Sequence, residues 1–212
     1  AQAAGALRAA SEPRQDAPYK LWLPFVTTIG GALEGTWTGQ LDSFEFDDVT
    51  GVTALNSGYV FWDTLFGLDQ EVRFTFTSVS DTATRQDLLL KVGGVPDGII
   101  GDQAHLVAVG YDATTGALEV RTMSPGQVWT THATFGGHPF SVGDTFGARV
   151  TRGGFVEVYV NGQVFGHADL TAGDAPWAYA AEAGLIGFWF EAPALDREAS
   201  AGFTDFGGGS LP

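Results

Sequence analysis

Acidic side chains at Glu45, Asp47 and Asp48 are the part of this sequence closest to a hydrolytic site. In an extended strand, Glu45 and Asp47 point to the same face, because strand side chains alternate with a period of two. Retaining glycoside hydrolysis requires two carboxyl groups about 5–5.5 Å apart. No further acid follows on this segment, since residues 49–51 are Val, Thr and Gly. The segment therefore does not predict a hydrolase.

Other catalytic signatures are also missing from the sequence. Cysteine is absent, which excludes a thiol nucleophile and a cysteine-ligated zinc site. There is no G-x-S-x-G nucleophile elbow. The four histidines, His105, His132, His138 and His167, lack the spacing of an H-E-x-x-H zinc motif. The sequence therefore predicts a protein that is not an enzyme.

The segment Gly184–Glu191 contains the best candidate for binding a sugar. Its apolar residues alternate, so placing Ile186 and Phe188 in the core turns Trp189 and Glu191 to the opposite face. An aromatic ring on such a face can stack on a pyranose ring, and a carboxylate beside it can accept hydroxyl hydrogen bonds. We therefore expect Trp189 and Glu191 to face a ligand.

Three further tryptophans are candidates for the same role. If Phe61 faces the core, Trp62 lies on the outer face beside Trp189. Trp129 and Trp177 stand in segments that read as loops. The alternative for each tryptophan is packing, since large aromatic residues dominate sandwich cores.

The charge of the chain limits its partners. The sequence has 212 residues, with 25 Asp and Glu against 10 Lys and Arg, for a net charge of -15. A phosphate backbone or an anionic membrane would repel such a surface, so we expect no nucleic-acid binding and no membrane insertion. No apolar run approaches the length of a membrane span. The small residues at positions 1–5 resemble the product of signal peptidase, which predicts a secreted protein at the cell surface or outside the cell.

The chain divides into a tail and one larger domain. Residues 1–28 form an N-terminal tail, and residues 29–212 contain short segments of alternating pattern separated by turn residues. These segments predict an all-β, two-sheet antiparallel sandwich with an extended N-terminal strand. Asn161-Gly162 predicts a type I′ hairpin, which we expect to pair Val158 with Phe165 on the core side.

Three segments of the second half carry a family resemblance. They are Val156–Gly162 (VEVYVNG), Gly184–Phe190 (GLIGFWF) and Phe203–Gly209 (FTDFGGG). Their patterns and their order resemble the concanavalin A-like lectin and glucanase superfamily, including laminin-G-like modules, over roughly residues 33–209. The resemblance implies a jelly roll whose concave face often holds sugar. It implies no particular activity, because this superfamily contains lectins, enzymes, adhesins and coat proteins.

Two site expectations follow from this resemblance. Related folds often hold a structural calcium ion, which implies Asp47, Asp48 and Asp205 as candidate ligands, with Asp42 a further possibility; solvated carboxylates are the alternative. The chain also contains Gln103-Ala104-His105, which is similar to the Q-x-H element of alginate lyase-like jelly rolls. The basic R-x-E-x-R strand of those enzymes is missing, which argues against lyase activity.

The tail favours assembly as the first functional hypothesis. Residues 19–28 form a short apolar strand interrupted by Pro24, which restricts it to a sheet edge or to a strand lent to a partner. Donation to a neighbouring jelly roll predicts a non-catalytic structural or adhesive subunit that forms polymers or filaments. The residues expected to contact the partner are Tyr19, Leu21, Trp22, Leu23, Phe25 and Val26. The alternative hypothesis is a monomeric, lectin-like module that binds a polysaccharide.

Overall fold

The computed structural model describes residues 21–22, 37–47, 51–191 and 201–211, which form two packed antiparallel sheets. The all-β, two-sheet prediction is confirmed. The eight-stranded sheet contains β1 (Leu21–Trp22), β3 (Phe44–Asp47), β4 (Gly51–Ala54), β6 (Gln70–Ser78), β11 (Thr145–Val150), β12 (Phe155–Val160), β13 (Gln163–Asp169) and β15 (Gly202–Ser210). The seven-stranded sheet contains β2 (Trp37–Gly39), β5 (Gly58–Trp62), β7 (Arg85–Gly93), β8 (His105–Asp112), β9 (Ala117–Ser124), β10 (Val128–Phe135) and β14 (Leu185–Glu191).

Strands that are distant in the chain lie side by side in both sheets. The seven-stranded sheet has the order β10-β9-β8-β7-β14-β5-β2. The eight-stranded sheet has the order β13-β12-β11-β6-β15-β4-β3, and β1 also pairs with β15. Two 3-10 turns, Leu41–Ser43 and Pro96–Gly98, are the helical elements of the described residues. None of the helices described is long and apolar enough to span a membrane.

The main hydrophobic core lies between the two sheets. Alternation places Val72, Phe74 and Phe76 of β6 in this core with at most 1% exposure. From the opposing sheet, Phe188 and Phe190 of β14 pack against the same core. Burying a side chain of this size contributes about 1.5–3 kcal/mol. The sandwich is therefore stabilised by alternating aromatic residues, as the sequence pattern predicts.

A second apolar cluster covers the outer face of the seven-stranded sheet. Phe61, Leu89 and Leu106 are fully buried there, beneath the segment of residues 94–104 that joins β7 to β8. Gly94 begins this segment with φ +64°, and a Cβ at that position would collide with the carbonyl oxygen of Gln103. Both faces of this sheet carry apolar residues, which is why β5 and β8 are nearly continuous hydrophobic runs.

The hairpin at Asn161-Gly162 has the predicted turn but a different register. Both residues have positive φ, 52° and 75°, as a type I′ turn requires. Beyond the turn the register shifts, so Val158 pairs with Gly166 and Phe165 is left 36% exposed. A Cβ at position 166 would lie 2.6 Å from the ring of Phe135, so a larger residue there would require that ring to shift. The predicted pairing of Val158 with Phe165 was therefore wrong.

The N-terminal strand β1 pairs within its own chain. Leu21 lies opposite Gly208 and Trp22 opposite Gly207, both on β15. This is the arrangement expected if the segment belongs to its own sandwich, and donation to a neighbour stays a prediction. Of the residues expected to contact a partner, Tyr19, Leu23, Phe25 and Val26 lie outside the described residues, as do the other residues of the tail.

Candidate functional site

Trp189 and Tyr59 form the aromatic centre of a groove on the outer face of the seven-stranded sheet. They are directly opposed on the neighbouring strands β14 and β5, and their ring centroids lie 5.5 Å apart in an edge-to-face arrangement. Both side chains are half-buried. Trp189 therefore faces outward, as the alternation of its strand predicts, and both residues line the groove.

Hydroxyl and amide groups surround this aromatic pair. The groove has a volume of about 470 Å³. Its lining residues are Gln40, Ser57, Gly58, Tyr59, Thr82, Thr84, Trp189 and Glu191. Gln40 Oε1 accepts a hydrogen bond from the backbone N–H of Tyr59 at 3.3 Å. The groove thus combines apolar ring surface with polar groups that can exchange hydrogen bonds with a polyol.

Glu191 provides the carboxylate of the groove. Its Oε2 lies 3.1 Å from Nε of Arg85 on β7 and accepts a hydrogen bond from Thr84 Oγ1 at 3.2 Å. Glu191 and Arg85 are direct cross-strand neighbours, so the register of β14 on β7 sets this ion pair. The predicted position of Glu191 beside Trp189, on the face opposite the core, agrees with the structure.

A buried charge pair lies beside the groove, with Asp87 directly opposite Trp189 on the neighbouring strand β7. Asp87 Oδ2 lies 2.6 Å from Nη2 of Arg121, and the two side chains are 1% and 7% exposed. They meet across β8 because Gly110 has no side chain: a Cβ there would collide with Asp87 Oδ1. Burial raises the pKa of Asp87, and Arg85 acts against that rise. The pair links three strands of the sheet beside the aromatic residues.

Trp129 extends this aromatic surface from the edge strand β10. Its ring centroid lies 5.8 Å from that of Trp189. The guanidinium carbons of Arg85 and Arg121 lie 5.5 Å and 5.1 Å from the same Trp129 ring, within range of cation–π attraction. Trp129 is therefore positioned by two arginines, and it lies in a strand rather than in the predicted loop.

Two of the predicted tryptophans do not reach the groove. Trp62 is 7% exposed and packs edge-to-face on Trp37 in the core between the sheets, with centroids 5.3 Å apart. Tyr59 takes the position beside Trp189 that we expected Trp62 to hold. Trp177 is 4% exposed, and its Nε1 donates to the carbonyl oxygen of Met123. Both expectations of a ligand-facing ring were wrong.

The composition of β5 explains why its side chains face the opposite way from the prediction. Tyr59 and Phe61 form one apolar face of this strand, and Val60 and Trp62 form the other. Alternation alone cannot decide which of two apolar faces meets the other sheet. The outward turn of Tyr59, and the contribution of Arg85 and Gln40, became visible only through the pairing of β5 with β14 and of β14 with β7.

The histidine of the Q-x-H segment faces away from the groove, toward the core between the sheets. Ala104 packs into the outer cluster, whereas His105 stacks on Tyr179 with ring centroids 4.1 Å apart. Its Nε2 lies 3.3 Å from Glu182 Oε2. His105 therefore does not join Trp189 and Tyr59 in a common site.

The predicted calcium ligands that the structure describes do not lie in the groove. Asp47 on β3 and Asp205 on β15 are exposed, as is Asp42 in the first 3-10 turn, and Asp48 is not among the described residues. Within the part of the chain that the structure describes, no three His, Asp or Glu side chains cluster as a metal site. Calcium binding stays a prediction.

Comparison with known proteins identifies the fold. No protein-family model and no curated protein sequence matches this chain. Among solved structures, it is similar to the carbohydrate-binding module CBM66 from Bacillus subtilis, with 15% identity, a TM-score of 0.52 and coverage of 82% of this chain and 96% of that chain. It is also similar to the carbohydrate recognition domain of Emp46p, with 10% identity, a TM-score of 0.55 and coverage of 93% and 99%.

An enzyme also appears among the similar structures. A family 7 alginate lyase in complex with substrate matches with 13% identity, a TM-score of 0.53 and coverage of 82% of this chain and 91% of that chain. At these identities the likeness shows the fold alone. The chain has a jelly-roll sandwich fold, which these structures show in both binding modules and enzymes.

Proposed function

We propose that this jelly roll is a secreted, lectin-like module that binds carbohydrate in the groove of Trp189 and Tyr59 without cleaving it. The observation that carries the proposal is the half-buried aromatic pair, which lines a groove together with hydroxyl and amide groups. Sugar rings present C–H faces for stacking and hydroxyls for hydrogen bonding, and this groove offers partners for both. Similar structures include a carbohydrate-binding module and a carbohydrate recognition domain.

The carboxylates of the chain support binding rather than hydrolysis. Among the described residues that line the groove, Glu191 is the one carboxylate, and it is already paired with Arg85. The acidic pair Glu45 and Asp47 belongs to β3, on the eight-stranded sheet. A retaining mechanism requires two carboxyl groups on either side of one glycosidic bond. The single described carboxylate of the groove therefore favours binding of a saccharide without hydrolysis.

Affinity electrophoresis through gels containing soluble polysaccharides tests this proposal. We expect Trp189→Ala to lower the affinity about 30-fold, because central tryptophans typically contribute about 2 kcal/mol or more to binding. The matched control is Phe155→Ala on the other sheet, where the ring is 41% exposed and outside the groove. Equal binding by the wild type and Trp189→Ala would place any sugar site elsewhere. Release of reducing ends or unsaturated products from a bound polysaccharide would overturn the non-catalytic part.

A further inference from the structure

We infer that the ligand of this groove is an uncharged saccharide, one whose polar groups are hydroxyls rather than carboxylates, sulfates or amines. The inference rests on the proposed function and names the ligand class of the same site. It follows from the charges that face the groove and from how each of them is already paired.

The polar lining of the groove is almost entirely neutral. Gln40, Ser57, Thr82 and Thr84 contribute one amide and three hydroxyls, all in exposed residues. Such groups both donate and accept hydrogen bonds, which is what a sugar hydroxyl requires. Glu191, the single charged residue among the described residues of the lining, is held by Arg85 at 3.1 Å and by the Thr84 hydroxyl. An amine on the ligand would have to displace that arginine.

The guanidinium groups near the groove are not available to an anionic sugar. Arg85 lies within 4.0 Å of both Glu191 and Asp87. Arg121 is 7% exposed and contacts Asp87 at 2.6 Å and Glu119 at 3.5 Å. Recognition of a carboxylate or sulfate depends on a cation that is free to form charge-assisted hydrogen bonds. Both arginines face glutamates, so this compensation holds whether or not Asp87 carries a proton.

The net negative charge of the whole chain also disfavours an anionic ligand. At a net charge of -15, the protein repels polyanions at long range and slows their encounter with the groove. The aromatic surface, in contrast, attracts any sugar with an apolar C–H face, because stacking requires no ligand charge. A neutral polysaccharide therefore satisfies the groove without an uncompensated charge on either side.

The test compares dextran, laminarin and mannan with alginate and polygalacturonate, using the full chain and Trp189→Ala in affinity electrophoresis. Binding of a neutral polymer that is lost in Trp189→Ala supports the inference. Binding of alginate or polygalacturonate that depends on Trp189 overturns the inference and leaves the proposed function intact. Absence of Trp189-dependent binding to any polymer contradicts the proposed function itself.

A second variant tests the charge pairing directly. Glu191→Gln removes the nearer of the two carboxylates beside Arg85, whose side chain is 30% exposed, and we expect about a tenfold gain in affinity for polygalacturonate at low salt. Glu45→Gln is the matched control, because it makes the same change in net charge on the other sheet. No gain in Glu191→Gln, or an equal gain in both variants, would overturn the pairing argument.

Discussion

Asp87 and Arg121 form a buried ion pair, 2.6 Å between Oδ2 and Nη2, that crosses β8 where Gly110 has no side chain. The pair joins β7 to β9, although these strands are not hydrogen-bonded to each other. Arg121 then holds Trp129, whose ring contacts Trp189 in the groove. A glycine in the middle of a strand is therefore required for the charge pair that supports the aromatic surface.

Replacement of Gly110 by valine should destabilise the fold. The new side chain would occupy the position of the Asp87 carboxylate, and overpacking of this kind costs about 3 kcal/mol. Urea unfolding monitored by tryptophan fluorescence measures the change. Gly101→Ala is the control, because a Cβ at position 101 meets nothing within 4 Å. An unchanged unfolding midpoint for Gly110→Val would show that Asp87 and Arg121 do not need this space.

Loss of the carboxylate alone should cost at least as much stability as loss of both charges together. Asp87→Asn leaves the guanidinium of Arg121 buried without its closest counter-charge, which we expect to cost about 3 kcal/mol. The double variant Asp87→Asn with Arg121→Met removes both charges, and its stability should be no lower than that of Asp87→Asn. A double-mutant cycle in urea measures the coupling. Additive losses from the two substitutions would contradict the pairing.

The contribution of Lys91 to the free energy of unfolding should change with pH in the alkaline range. Its Nζ donates to the carbonyl oxygens of Leu68 at 2.6 Å and Glu182 at 2.9 Å. Burial lowers the pKa of Lys91 from 10.5 to about 8, and Asp69 acts against this change. Between these two values the unfolded chain binds the proton more tightly than the folded chain does. The contribution of Lys91 therefore rises as the pH increases from about 8 to 10.5.

The measurement is urea unfolding of the wild type and of Lys91→Met across this pH range. The variant loses both hydrogen bonds, so we expect it to be less stable at every pH. The diagnostic quantity is the difference in unfolding free energy between the two proteins, which should grow in favour of the wild type as the pH rises. Parallel curves would mean that Lys91 titrates at its ordinary pKa in the folded protein.

Removal of residues 1–28 distinguishes the two functional hypotheses, a monomeric binding module and a subunit that assembles by strand donation. Because Leu21 and Trp22 pair with β15 of their own chain, we expect light scattering to give the monomer mass for both the full and the shortened chain. The shortened chain should also unfold at lower urea, since β15 loses its partner at Gly207 and Gly208. Polymers that disappear with residues 1–28 would instead establish donation of this strand to a neighbour.

Alternation in the sequence determined the strands with one polar face. In β6, Val72, Phe74 and Phe76 alternate with Arg73, Thr75 and Thr77, so only one face can be buried and its orientation follows directly. In β14, assigning Ile186 and Phe188 to the core placed Trp189 outside it, on the face that ends in Glu191. The Asn161-Gly162 turn was also local, because positive φ at both positions depends on these two residues alone.

Tertiary structure decided which face of an apolar strand is buried and which distant residues are in contact. Because β5 is apolar on both faces, its own sequence does not determine which face is buried between the sheets. Packing against the second sheet turns Trp62 inward and Tyr59 outward. Phe165 lies outside the core because the register shift after the turn places Gly166, and not Phe165, opposite Val158. Asp87 and Arg121, 34 positions apart, meet through strand order. Local patterns specify which way a side chain alternates, whereas the identity of its neighbours arises from long-range strand pairing.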